Sequence, residues 1–239
     1  MLKGIDVSKW QNVGDYKDSV ELGYTDFMIV KATEGATYHD PKFSQHIDYA
    51  RKNNMLIGAY HYARPDNGNQ PEAEASNFVN TLRNKNIIGE VLMALDWEAK
   101  SLNFSADWAL RWLREVYKLT GVKPVIYMSS SNIKKFGIIA NEGFGLWVAN
   151  WTKEPDNAKT APWKFKVLWQ RRGAPLDLDI FYGDISAWRL YCKSAFTDET
   201  EKETENKTET DEKNKCSECE LMKQVGALAT LYEKFCRKE

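Results

Sequence analysis

Cysteine is scarce in this chain, with four in 239 residues, and three of them (Cys216, Cys219 and Cys236) lie close to the C-terminal end. Only Cys192 is near the bulk of the sequence, so no disulfide framework holds the main body and its core must stabilise itself. No run approaches the roughly 18 consecutive apolar residues of a membrane-spanning helix, and no membrane partner is expected. The opening residues Met1 to Asp6 lack a basic segment followed by an apolar one, so no secretory signal peptide is expected. The histidines and cysteines show no full set of zinc-ligand spacings; Cys216-Ser217-Glu218-Cys219 is a lone pair without a second. A phosphate-cradling glycine loop followed by Lys and Ser or Thr is missing, as is a Gly-x-Ser-x-Gly elbow. Metal, nucleotide and serine-nucleophile chemistries therefore find no support, and neither metal nor cofactor is expected.

Aromatic and apolar residues are abundant: 43% of the chain is hydrophobic and 13% aromatic, enough for one sizeable core and too much for a disordered or fibrous protein. The net charge of −1 is unevenly spread, because residues 197–214 carry eight acidic side chains against three lysines. The body before them is consequently mildly basic. That balance suits an anionic polymer such as a cell wall and does not imply nucleic acid.

Eight short apolar runs rich in β-branched and aromatic residues recur, at 4–7, 27–31, 56–62, 91–97, 125–128, 146–149, 167–170 and 178–181. Helical patterns separate the early ones. Asp40 is positioned to cap a helix with Pro41 at its first position and Phe43, Ile47 and Ala50 facing inward. A second helix spans Glu72 to Arg83 and buries Phe78, Val79 and Leu82. A third starts at Ser105, shows a broad face of Trp108, Trp112, Leu113, Val116 and Tyr117, and closes at Gly121. This alternation predicts an α/β fold, a TIM-like β/α barrel with a parallel sheet, whose second half, from about Val125, is irregular and short of helices. Residues 197–214 read as a flexible acidic linker. After it, Leu221, Val225, Leu228, Tyr232 and Phe235 form the seam of a short amphipathic helix that needs a partner surface.

In a parallel α/β barrel the reactive groups gather where the strands end, because the loops there converge on one mouth. The strand ends present Asp6, Lys31, Tyr60, His61, Tyr62, Asp96, Glu98, Tyr127, Trp147, Asn150, Trp151, Trp169, Gln170 and Asp177, mostly acids and aromatics. Leu95-Asp96-Trp97-Glu98 is the most informative segment. Residues two apart on an extended strand share a face at about 6–7 Å, so both carboxyls enter one mouth and repulsion raises the pKa of the less solvated. A protonated carboxyl beside a charged one is what glycosidic cleavage requires. The bland alternatives are a solvated loop start for Asp96 and Glu98, a hydrogen-bond acceptor for Asp6, and a satisfied core histidine for His61.

The segments Gly4-Ile5-Asp6-Val7-Ser8-Lys9-Trp10-Gln11, Lys31-Ala32-Thr33-Glu34-Gly35, Gly58-Ala59-Tyr60-His61-Tyr62-Ala63-Arg64-Pro65, Ala94-Leu95-Asp96-Trp97-Glu98, Leu146-Trp147-Val148-Ala149, Trp169-Gln170 and Leu176-Asp177-Leu178-Asp179 occur in one order across about residues 1–190. With them the chain resembles the family 25 glycoside hydrolases, the lysozymes of phage endolysins and of bacterial and fungal origin. The resemblance implies an irregular barrel and hydrolysis of the β-1,4 bond between N-acetylmuramic acid and N-acetylglucosamine in bacterial peptidoglycan. It implies Glu98 as general acid, with Asp6, Asp96 and an acid at 177–179 completing an acidic floor. Asp177 is the favoured fourth acid; family members commonly carry Asn where this chain has Asp179, an added carboxylate that leaves the choice open. Retention through the substrate's 2-acetamido group, oriented by Asp96, and inversion both fit the sequence. Lys31, Tyr60, Tyr62, Tyr127, Trp147, Trp151, Trp169 and Gln170 are the expected substrate-binding residues.

The expected organisation is a catalytic domain at 1–196, the linker at 197–214 and a helical element at 215–239 serving self-association into a homo-oligomer or wall targeting. A linker and small terminal element look like a phage endolysin, held in the host cytoplasm until a holin opens the membrane. The rival from another class is a non-catalytic module that grips wall glycan on the same barrel, against which the retained carboxyls argue.

Overall fold

The computed structural model describes residues 1–98, 100–101, 103–151 and 160–195. The expected linker and terminal helix lie outside the described residues. In chain order the elements are β1 (Leu2–Val7), α1 (Lys17–Leu22), β2 (Phe27–Glu34), β3 (Tyr38–His39), α2 (Phe43–Lys52), β4 (Leu56–Tyr62), α3 (Pro71–Asn84), β5 (Val91–Asp96), α4 (Ala106–Thr120), β6 (Val125–Ser129), α5 (Gly137–Asn141), β7 (Gly145–Ala149), β8 (Leu168–Arg172), β9 (Asp177–Phe181) and α6 (Ile185–Cys192). Among the described residues no helix is long and apolar enough to cross a membrane.

The strands neighbour one another in the order β1-β9-β8-β7-β6-β5-β4-β2, and β1 pairs with β2 to close an eight-stranded barrel. β3 is a two-residue antiparallel flap on β2. The expectation of a parallel sheet needs one correction: β9 runs antiparallel to both β8 and β1. Only residues 173–176 separate β8 from β9. A parallel return needs a dozen or more residues, so this link can only make a hairpin. The shortened helices of the second half are present as α5, with five residues, and as the absence of any described helix between β7 and β8.

Strand alternation sorts the core into two layers. Ile5, Met28, Val30, Ala59, Met93, Leu95, Ile126, Leu146 and Val148 point outward and pack under helix residues such as Ile47, Phe78, Trp112 and Val116. Phe27, Ile29, Leu92, Ala94, Val125, Leu168 and Phe181 fill the interior. α6 adds Trp188 to that interior, with its ring 4.8 Å from Phe27 and 5.1 Å from Phe181, and so plugs the end away from the mouth.

Two helix starts differ from expectation. α2 begins at Phe43, three residues after Asp40, whose carboxylate accepts from the Lys42 amide and also from the Lys9 amide (both 2.9 Å). Asp40 thus spends one oxygen tying down the loop after β1. Ser105 does precede α4, but its hydroxyl makes no capping bond. Gly121 ends α4 in the left-handed region at φ 69°, a conformation that costs glycine nothing.

Candidate active site

Inward-facing positions at the strand ends place Asp6, Lys31, Tyr60, Tyr62, Asp96, Tyr127, Trp147, Gln170, Asp177 and Asp179 around one cavity, with Glu98 just beyond β5. Asp177 reaches this mouth because β9 is reversed: it starts that strand opposite Asp6, one residue before the end of β1.

Gln170 organises the floor. Its Oε1 accepts from the Tyr127 hydroxyl (2.9 Å) and from Trp151 Nε1 (3.0 Å). Two donors on one oxygen fix the orientation of the amide, so its nitrogen donates to Asp6 Oδ2 at 2.7 Å. Burial raises the Asp6 pKa, a rise that hydrogen bonds with Asp179 and Gln170 oppose, while burial and then the charge of Asp6 push Asp179 well above the ordinary carboxylate range. Of the two, Asp179 is shifted further and is the better holder of a proton. Asp179 Oδ1 also accepts from Trp147 Nε1 at 2.8 Å. Asp179 is fully buried in the floor, whereas Asp177, half-buried, faces the opening.

The five carboxyls titrate as a group. Burial pushes Asp96 well above the ordinary carboxylate range, and the charges of Glu98 and Asp6 add to it, against the Lys31 ammonium. Glu98 opens to solvent at its tip, yet the barrel rim strips part of its hydration and raises its pKa, with Asp6 adding repulsion. Burial, then Asp6 and Glu98, push Asp177 up to about 8. Asp96 Oδ1 is buried without a hydrogen-bond partner among the described residues. An unpaired buried acceptor at the edge of a cavity is open to a ligand's donor.

Tyrosines line the walls. Burial raises Tyr60 far above its usual pKa and Tyr62 to about 12, with the mouth's carboxylates reinforcing both, so these phenols stay neutral donors. Tyr62 carries the Lys31 ammonium 4.5 Å above its ring. Lys31 in turn donates to Glu34 Oε2 (2.7 Å), and Glu34 Oε1 accepts from Arg64 Nη1 (2.6 Å). Glu34 and Arg64 were not among the expected site residues. Residues 31 and 34 should face opposite sides of a regular strand, but the pairing of β2 with β4 shifts between Lys31 and Thr33 and resets the alternation. Only the nearby opposite charge hinted at this contact.

Two expected residues sit differently. Trp169 points to the helix side of β8, is buried in the outer layer and donates to the Asn150 carbonyl (2.9 Å). It does not enter the cavity, because it neighbours the inward Gln170 on an alternating strand. Trp147 faces inward but is only 2% exposed, its ring 4.8 Å from Tyr127; it floors the site beneath the tyrosines and leaves no open face. His61 faces outward as the satisfied core histidine of the sequence reading, its two ring nitrogens bonded to Thr33 Oγ1 and Glu74 Oε2 (both 2.8 Å). Trp151, by contrast, is 66% exposed at the rim.

Residues 5–174 match the family model for Glycosyl hydrolases family 25. The chain belongs to this family. It is a glycosidase, and the match takes in Asp6, Asp96, Glu98 and Gln170, ending just before β9. The protein YegX of Escherichia coli strain K12 is 32% identical over 210 residues, covering 80% of this chain and 73% of that one. The solved muramidase of Trichobolus zukalii is 26% identical with a TM-score of 0.67, over 81% of this chain and 99% of that one. The CTP1L endolysin structure is 26% identical with a TM-score of 0.58, over 76% of this chain and 66% of that one.

Proposed function

We propose that this glycosidase is a lysozyme of the N-acetylmuramidase type, hydrolysing the β-1,4 bond between N-acetylmuramic acid and N-acetylglucosamine in bacterial peptidoglycan. The observation that carries this reading is the gathering of five carboxyls at the mouth of a family 25 barrel, with Glu98 the exposed member.

In the open mouth, burial favours the proton on Asp96 over the more solvated Glu98. Substrate reverses that order. A sugar filling the mouth removes water from Glu98, and its acetamido N–H offers the unpaired Asp96 Oδ1 a donor that favours the carboxylate. The proton then resides on Glu98, which gives it to the leaving glycosidic oxygen as the bond to the anomeric carbon breaks. Asp96 holds and polarises the acetamido group, whose oxygen closes on the anomeric carbon. Water returns a proton to Glu98 and opens that intermediate with net retention. Asp6, whose charged form the hydrogen bonds of Gln170 and Asp179 favour against burial, stabilises the positive charge developing on the sugar, while Asp177 at the rim, protonated below about pH 8, offers a hydrogen bond to a sugar hydroxyl. Tyr60 and Tyr62 offer polar tips, and Trp151 an exposed ring face, to adjoining sugars.

Digestion of purified peptidoglycan, followed by reduction and identification of the new chain ends, tests the proposal. Reducing N-acetylmuramic acid is expected. New N-acetylglucosamine ends would assign a different bond, and tight binding without new ends would identify the barrel as a non-catalytic wall-glycan module.

The finer reading is a phage endolysin role, stored in the host cytoplasm and reaching the wall after a holin opens the membrane; likeness to the CTP1L endolysin supports it. Expression in a susceptible host with and without a pore-forming holin tests this. Lysis independent of the pore would overturn it.

A further inference from the structure

An aromatic side chain at the edge of the mouth is left unused by the reaction described above. Trp10, in the loop after β1, is 80% exposed. Its loop is nonetheless firmly built: Gln11 Oε1 accepts from the Ser8 amide (2.9 Å), Asp40 Oδ2 from the Lys9 amide (2.9 Å), and Lys42 Nζ donates to the Gln11 carbonyl (2.9 Å). His46 Nε2 meets the Ser8 carbonyl at 3.1 Å. An indole held in water by a rigid backbone is a preorganised stacking surface, since little ordering entropy remains to be lost on binding.

Cations and rings alternate from this indole towards the carboxyls. Lys9 Nζ lies 4.9 Å from the Trp10 ring and 5.3 Å from the Tyr38 ring. Lys31 Nζ lies 5.9 Å from Tyr38 and 4.5 Å from Tyr62, which lines the mouth beside Asp96. The two ammonium groups are not equivalent. Lys31 is paired with Glu34, whereas Lys9 has no carboxylate partner among the described residues. Tyr38 is fixed in the flap by the pairing of β3 with Glu34, so the row is continuous with the site.

We propose that Trp10, Lys9 and Tyr38 form a glycan subsite flanking the carboxyl group, in which Trp10 stacks on a sugar ring and Lys9 pairs with a carboxylate borne by the arm of a muramic acid unit. This rests on the proposed muramidase function and extends it: the enzyme selects strands whose arms keep their negative charge. An ammonium lying between two aromatic faces is partly shielded from water, which strengthens its attraction for an anion.

The test uses the full chain carrying Glu98→Gln, so that ligand survives, and soluble glycan strands in two forms: with carboxylate arms, and with the same carboxyls converted to amides. Calorimetry should show the acidic form bound about 5-fold more tightly, the equivalent of about 1 kcal/mol for one partly exposed ion pair, and the preference should shrink in high salt. Lys9→Met should abolish the preference and Lys9→Arg should keep it. Trp10→Ala should weaken both forms alike, with Trp10→Phe recovering part of the loss. An unchanged preference in Lys9→Met, or full affinity in Trp10→Ala, would overturn the subsite. Cleavage by the unsubstituted enzyme is scored separately: failure to cut peptidoglycan sinks the proposed function, whereas normal cutting with no charge preference sinks only the subsite.

Discussion

At the scale of single residues, chemistry in this mouth depends on which carboxyl holds a proton, and neighbouring groups decide that. Glu98→Gln keeps the side chain's shape but has no proton to give. Turnover of peptidoglycan should fall by roughly 10²- to 10⁴-fold, with an unchanged unfolding midpoint. Near-normal turnover would remove Glu98 from the mechanism. Asp177 offers a test on stability. Its carboxyl keeps a proton up to about pH 8 in the fold, against an ordinary value of 3.8. Between those values the folded chain binds more protons than the unfolded one, so stability falls as pH rises across the window. Asp177→Asn removes that penalty. Its Tm should exceed that of the unsubstituted protein by about 4 °C at pH 8, with a smaller gap at pH 5. A gap that grows towards acid would contradict the burial of this carboxyl.

At the scale of elements, the turn between β8 and β9 does two jobs. Its shortness reverses β9 and brings Asp177 to the mouth, and its Gly173 makes room for the rim. A Cβ at Gly173 would stand 2.4 Å from Trp151 Cζ2, far inside contact distance. Trp151 is held at its other side by Gln170, so it can yield only by breaking that bond or swinging outward. Gly173→Ala should therefore weaken glycan binding to the Glu98→Gln enzyme by about 3- to 10-fold, or about 1 kcal/mol. Loss of Trp151 should add little on top, since both changes remove the same surface. Additive losses in the double variant would show that the two act separately. The irregularity in β2 is a comparable device, turning Glu34 towards Lys31 and tethering that ammonium over Tyr62.

For the whole molecule, closure of β1 on β2 and the plug of Trp188 from α6 leave one open end, where the carboxyls lie. Met1–Ser194 forms one compact unit, and we propose that the linker and terminal element beyond it act by self-association or wall targeting. A chain ending at Phe196 should unfold within about 2 °C of the full chain and hydrolyse soluble glycan at the same rate, yet lose activity on whole cells. Collecting several catalytic units on an insoluble wall raises effective concentration without changing the chemistry. Equal loss on soluble and cellular substrate would assign the tail to the catalytic fold.

The strand positions, the helix faces and the pair Asp96 and Glu98 were legible in the sequence, because strand and helix periodicities are local and a two-residue spacing needs nothing distant to share a face. The short link at 173–176 also carried the reversal of β9, although alternation of strands and helices suggested a parallel sheet. What pattern alone does not contain is the phase of each strand. Trp169 and Gln170 are neighbours in sequence, yet one enters the outer layer and the other the mouth, and Lys31 meets Glu34 only through a shift in register. The mutual influence of Asp6 and Asp179 on their pKa values depends on groups 173 residues apart in sequence. Local preference determines which segments form strands and helices; closing the barrel determines which side chains face one another, and burial there sets which of them stay charged.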